Sequence, residues 1–245
     1  MNSLICISSV PDTTTKIVFD ASGKELNKAG VQFVINPYDE FALVRALEFK
    51  EKLNAGKVVV ISVGEADVDQ VLRKALAIGA DEAVRIDAAP RDARFVAEQI
   101  AAYAKGKGFD LIMGGKESID FNGSEVMGMV AALLDLPYVS FATRLEVNGK
   151  NAEIRREIDG GTEVLDCPLP LVLGAQKGMA EWRIPNMRGI MAARTKPLAV
   201  VKPVEAKNYT ESVKFDLPPA KAGCKYIEPK NVQEVVKVLQ EKGVI

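Results

Sequence analysis

Residues 57–87 read KVVVISVGEADVDQVLRKALAIGADEAVRID, and the apolar spacing along them decides the fold. The run 57–63 is apolar without alternation, as in a strand covered on both faces. Val68, Val71, Leu72, Ala75 and Leu76 then recur at helical spacing between 66 and 78, and Gly79 stands where a helix C-cap belongs. A second β-rich run, 83–86, follows at once. Strand, helix and strand in that order predict a parallel crossover unit.

The same grammar extends outward. Residues 4–10 predict a first strand, and 21–23 (Ala-Ser-Gly) a possible hairpin turn. Asn36 and Pro37 open a helix that runs to about residue 53, with Pro37 at the position where a missing N–H costs nothing. Residues 91–105 are amphipathic through Phe95, Val96, Ile100 and Tyr103, and 110–114 predict the next strand. The resulting βαβαβαβ unit is half of a doubly wound, mostly parallel α/β sheet, in which ligands bind beyond the carboxyl ends of the strands.

Further on, the pattern predicts a helix at 123–134, strands at 138–145 and 170–175, and two strands joined by a Gly-Gly turn within 155–164. From 182 to 202 the chain is basic and interrupted by prolines, with Arg183, Arg188, Arg194, Lys196 and Lys202 and no acid among them. The tail from about 204 is proline-rich and extended until a helix at 231–242, striped by Val232, Val235, Val236 and Leu239. A segment so poor in burial predicts packing on something else.

Composition removes whole classes of chemistry. Lys+Arg total 32 against 33 Asp+Glu, so no global charge points to nucleic acid or an anionic membrane. No basic leader, and no apolar run near the ~18–20 residues that span a bilayer, predicts a cytoplasmic chain with no membrane insertion. There is no histidine, which eliminates Ser-His-Asp and Cys-His nucleophiles and His-ligated metals. Three scattered cysteines without a CxxC pair predict buried thiols and no metal site.

Small and polar residues collect at three predicted strand ends: 6–10, Val63 with Gly64, and Gly114-Gly115-Lys116-Glu117-Ser118-Ile119-Asp120. The last leads through Phe121-Asn122-Gly123-Ser124-Glu125 into a helix, whose N-terminus could hold a phosphate. These glycines also read plainly as turn residues, with Ser124 as a cap, because the run is neither a Walker loop nor G-x-G-x-x-G. Asn36-Pro37 reads first as a plain helix start, and second as backbone from Asn36 to Asp39 set against an adenine or ribose. Arg156, Glu157 and Asp159 suit a solvated sheet edge. Ile184-Pro185-Asn186-Met187 sets an apolar group among arginines, as a docking anchor with a charged rim would.

Seven stretches, in order, carry a resemblance: VPDTTTKI (10–17), INPYDEFAL (35–43), ALAIGAD (75–81), DLIMGGKESID (110–120), REIDGGTEVL (156–165), IPNM (184–187) and VVKVLQEKGVI (235–245). Together they resemble the β subunit of the electron-transfer flavoprotein family over nearly the whole chain. The resemblance implies a nucleotide-binding α/β domain at 1–200 and a C-terminal arm at 201–245 that packs on an α subunit holding most of the FAD site. It implies an electron carrier without catalytic residues of its own, linked to fatty acid oxidation. Electrons would pass from acyl-CoA dehydrogenases or other flavoprotein dehydrogenases to a quinone oxidoreductase.

By position, AMP would be contacted by Cys6, Asn36, Pro37, Tyr38, Asp39 and Val63, and by Gly115, Lys116, Ile119, Asp120, Asn122, Gly123, Ser124, Glu125 and Val126, with its phosphate at Gly123-Ser124. The recognition loop would be 182–194, anchored by Ile184 with Pro185, Asn186, Met187 and Arg188, while Glu157 would help release the mobile flavin domain. Glu125 departs from the family, standing where AMP binders carry a neutral amide, and a carboxylate repels a phosphate. The Asp-Gly-x-Thr-Ala-Gln run of bifurcating relatives is absent, which favours one FAD per heterodimer over a second FAD in place of AMP. Two other readings remain: a stand-alone ATP/AMP-binding module, and an adenylating or ATP-hydrolysing enzyme of the same superfamily.

Overall fold

The computed structural model describes residues 1–221 and 223–245. The strands are β1 (Ser3–Cys6), β2 (Ser9–Pro11), β3 (Phe33–Ile35), β4 (Val58–Gly64), β5 (Glu82–Asp87), β6 (Leu111–Gly115), β7 (Tyr138–Asn148), β8 (Asn151–Ile158), β9 (Gly161–Pro168), β10 (Leu171–Ala175) and β11 (Leu198–Val201). The helices are α1 (Pro37–Leu53), α2 (Asp69–Ile78), α3 (Ala93–Ala104), α4 (Val126–Leu134), α5 (Met187–Ala193) and α6 (Val232–Glu241).

Nine strands form one sheet in the order β11-β5-β4-β1-β6-β10-β7-β8-β9, while β2 and β3 pair apart from it. Neighbours from β11 through β7 run parallel, and β7, β8 and β9 close the far end as an antiparallel meander. Side chains on a strand alternate between faces, so each apolar run feeds two cores. Ile5, Val60, Met113 and Leu173 join the core built with α1 and α2, whereas Leu4, Ile61, Ile112 and Val172 join the core built with α3 and α4. This is the expected α/β, Rossmann-like architecture.

The chain enters through β1 at the centre, winds out to β4 and β5, and returns to β6 on the other flank of β1. The carboxyl ends of β1 and β6 therefore diverge at a topological switch point, where a crevice opens.

Several expectations need correction. The apolar run 4–10 is not one strand: it leaves the sheet after Cys6, the Ser8 amide donates to the Asp39 carboxylate at 2.7 Å, and Ser9–Pro11 pairs antiparallel with β3. The helix expected at 123 begins at Val126, because Asn122 and Ser124 hold φ of 51° and 54°, left-handed values that no right-handed helix accepts. The basic stretch 182–202 contains α5 and β11, the latter paired parallel with β5 at the sheet edge. The possible turn at 21–23 does form, closed by a Phe19–Leu26 bridge and by the Asp20 carboxylate, which accepts the Ser22 hydroxyl and the Lys24 amide. Among the described residues no helix is long and apolar enough to cross a membrane.

Candidate functional site

A cavity of about 540 Å3 lies over the carboxyl ends of β1, β4 and β6, within the ~300–1,000 Å3 usual for small-molecule sites. Its floor is Cys6 to Ser9, one wall is Ser62 to Glu65, and another is formed by Gly114 to Ser118 with Gly123 to Met127. The N-termini of α3 and α4 both open onto it, through Asp92 and Ala93 and through Glu125 and Val126. Each contributes backbone N–H groups without intrahelical partners and partial positive charge.

The start of α1 fixes this rim from behind. Asn36 sits at the N-cap position yet makes no side-chain cap. Fully buried, its Nδ2 donates to the Glu117 carbonyl at 2.9 Å, and its Oδ1 accepts the Ile119 amide at 3.2 Å. Asp39, 3% exposed, accepts the Ser8 amide at 2.7 Å with one carboxylate oxygen and the Gly115 amide at 2.6 Å with the other. One carboxylate thus ties the ends of β1 and β6 together. Burial pushes the Asp39 carboxyl up to about 7, against the downward pull of both amides. Burial, reinforced by the Asp39 charge, also pushes the Cys6 thiol well up, which leaves it an unreactive wall residue.

Gly115 is required by the closeness of this clamp: a Cβ there would lie 2.5 Å from the Tyr38 Cβ and 2.7 Å from an Asp39 oxygen. Gly123 has the opposite setting, since a Cβ there would meet nothing. Between them, Lys116 pairs with Glu117 at 2.8 Å and lies over the rings of Tyr38 (5.0 Å) and Phe141 (5.3 Å). The bond from Glu117, with its charge and that of Glu157 nearby, holds the Lys116 ammonium above its ordinary range. Ser124 does not cap α4; its hydroxyl donates to Glu117 at 3.2 Å.

Of the expected contacts, Cys6, Asp39, Val63, Gly115, Lys116, Asp120, Gly123, Ser124, Glu125 and Val126 line the cavity. Asn36, Pro37, Tyr38, Ile119 and Asn122 do not, and Asn36 acts through the loop it holds. The phosphate position expected at Gly123-Ser124 precedes the start of α4 by two to three residues, so any helix-terminal amides in reach belong to Val126 onward. Carboxylates outnumber cations along the wall, but Asp39 and Asp92 are occupied by backbone amides and Glu117 by Lys116. An anion here would therefore be held mainly by backbone N–H groups, with Arg91 at the margin and Lys28 paired with Asp67 at 3.1 Å.

Arg91, Asp92, Thr210 and Ser212 also line the cavity and were not anticipated. Asp92 carried a legible signal, as an N-cap residue just ahead of an amphipathic run, and its carboxylate accepts the Phe95 amide at 2.7 Å. Thr210 and Ser212 carried none, because only the tertiary path of the tail brings them there.

Two surfaces lie away from the cavity. Ile184 and Met187 are 77% and 75% exposed, while Asn186 caps α5 by accepting the Gly189 amide at 2.8 Å. Arg183 does not flank this apolar tip freely, since both its terminal nitrogens donate to Glu51 on α1, at 2.7 and 3.0 Å; Arg188 is exposed. Pro185 lies in a groove against α2, and Glu157 accepts a hydrogen bond from the Gln176 side chain. The apolar stripe of α6 is uncovered, with no residue of that helix buried.

A family model described as electron transfer flavoprotein domain matches residues 25–206. The chain is 38% identical to the electron transfer flavoprotein subunit beta of Syntrophomonas wolfei over 228 residues, covering 92% of this chain and 89% of that protein. It is 35% identical to the protein of that name from Bacillus subtilis, covering 99% of each. With the human protein of that name it shares 30% identity, over 98% of this chain and 97% of the other.

Proposed function

Because the chain belongs to the electron transfer flavoprotein family, we propose that it is the β half of a heterodimeric electron carrier whose α subunit holds most of the FAD. In this reading the flavin supplies the redox chemistry, and this chain supplies a nucleotide platform and docking surfaces. Its cavity takes AMP or a similar adenine nucleotide as a structural ligand. The amides around Gly123 and at the start of α4 would hold the anionic end, on a loop fixed by Asn36 and Asp39.

The observation that carries this reading is the Asn36–Asp39 clamp: two buried polar side chains spent on shaping the rim of a cavity at the switch point of the sheet. The exposed tip at Ile184 and Met187 suits an anchor for acyl-CoA dehydrogenases or other flavoprotein dehydrogenases, with delivery to a quinone oxidoreductase. Glu157, on the outer antiparallel strands, would exchange its bond with Gln176 for one to a mobile flavin domain. The uncovered α6 stripe and the extended tail suit the α subunit. We place such a carrier in the cytoplasm.

The test is flavin stoichiometry of the purified αβ pair, with its reduction followed on adding a dehydrogenase and its substrate. One flavin per pair, reduced by the dehydrogenase, is the expected result. Two flavins per pair would select the bifurcating alternative, with a second FAD in this cavity. ATP turnover by the chain alone would select an enzyme of the same superfamily.

A further inference from the structure

The tail does not leave the body directly after β11. Val204 docks by both of its backbone groups on Gln99, a side chain 1% exposed in α3: its amide donates to Oε1 at 2.7 Å and its carbonyl accepts from Nε2 at 3.0 Å. An uncharged polar side chain so deeply buried needs such a partner. Arg91 then donates to the Ala206 carbonyl at 3.4 Å. Asp92 caps α3 with one oxygen and accepts the Tyr209 and Thr210 amides with the other, at 2.6 and 2.9 Å.

From there the chain crosses the mouth of the cavity, which Thr210 and Ser212 line. On the far side the Phe215 amide donates to the Gly23 carbonyl at 2.7 Å. The Phe215 ring stacks on Phe19 (5.3 Å, 14°) and meets Phe121 edge-on (6.4 Å, 65°). Phe121 belongs to the β6–α4 loop and itself lines the cavity. One short segment is thus fastened to three separate elements, the start of α3 and the β6–α4 loop, which line the cavity, and the turn at 19–26 beside them.

We propose that residues 209–215 form a strap over the cavity that must lift for a ligand to enter or leave, with Asp92 and Phe215 as the residues that position it. The proposal rests on the reading that the cavity takes an adenine nucleotide. It makes the start of the tail a part of the binding site, and makes nucleotide exchange depend on whatever holds the rest of the tail.

The experiment uses the αβ heterodimer and the variants Asp92→Asn and Phe215→Ala. Asparagine keeps an acceptor for the Phe95 amide, and so keeps the α3 cap, but turns an NH2 toward the Tyr209 and Thr210 amides. Two readouts are taken: release of bound nucleotide into excess labelled AMP, and hydrogen exchange of the 209–215 amides. Both variants are expected to release nucleotide about tenfold faster, the scale of a lost charge-assisted hydrogen bond for Asp92→Asn and of lost aromatic packing for Phe215→Ala, with protection lost at 209–215. Release at the wild-type rate in variants whose 209–215 amides have lost protection overturns the proposal. So does a wild-type heterodimer whose Tyr209 and Thr210 amides exchange at the rate of an unstructured peptide. A wild-type heterodimer that carries no adenine nucleotide defeats the functional reading instead, and protection at 209–215 then decides the strap alone, its presence supporting it and its absence sinking it.

Discussion

Asn36 precedes α1 and Asp39 lies in its first turn; Asn36 holds the loop after β6, and Asp39 joins the end of β6 to that of β1. Replacing Asn36 by Ala strands the Glu117 carbonyl and the Ile119 amide, an expected loss of about 1–3 kcal/mol in denaturant unfolding. The Asp39 carboxyl carries a pH signature. Its folded-state value is raised to about 7, so between about pH 4 and 7 the folded chain holds a proton that the unfolded chain has released. Stability therefore falls as pH rises through that window and levels off above it. Glu40, also raised by burial, acts in the same direction, while Asp92, held low by three amides that outweigh its desolvation, acts in the opposite direction at the acid end of the window and below it. With no histidine in the chain, no imidazole overlies the slope. Urea midpoints are expected to be lower at about pH 8 than at about pH 5.5, and Asp39→Asn to reduce that difference; an unchanged difference contradicts the assignment.

At the scale of elements, what could be read in advance was what local spacing encodes. Val71, Leu72, Ala75 and Leu76 announced α2, and the apolar run at 57–63 announced β4, because each buries the stripe or faces its own pattern defines. By contrast, α5 has seven residues and little burial of its own. Arg73 holds it from α2, donating to the Ala193 and Lys196 carbonyls at 2.8 and 2.7 Å, and Lys196 returns bonds to the Leu76 and Ala80 carbonyls at 2.9 and 2.6 Å. Those bonds join residues more than a hundred positions apart, so no window of sequence contains them. Likewise the run at 4–10 looked continuous because the Asp39 carboxylate that draws off Ser8 lies thirty-one residues away. Gly189→Ala would set a Cβ 2.3 Å from the Ala77 carbonyl oxygen, and is expected to push α5 off α2 at a cost of about 1–3 kcal/mol. Ile184→Ala, at an exposed tip, is expected to change stability by less than about 0.5 kcal/mol. Its effect should appear in the rate of flavin reduction by a dehydrogenase, and an unaltered rate would remove Ile184 from the docking surface.

Over the whole molecule, two cores on opposite faces of one sheet account for the stability of the body, and α6 contributes no buried residue to either. Removing residues 229–245 is therefore expected to leave the thermal midpoint of the isolated chain within a few degrees of its original value, about what a loss below 1 kcal/mol produces, while pairing with the α subunit is lost. The overall architecture was legible because strand and helix periods alternate along the first half of the chain. The cavity was legible as a place, beyond the carboxyl ends of the strands, and ten of the fifteen residues expected to contact its ligand line it. Its clamp and its strap were not, since both are made by side chains and tail segments that meet only after folding. The most direct test of the whole account is to denature the purified αβ heterodimer and identify every released small molecule by mass. The account predicts one adenine mononucleotide and one FAD per pair; an extract with no adenine nucleotide other than FAD would contradict it.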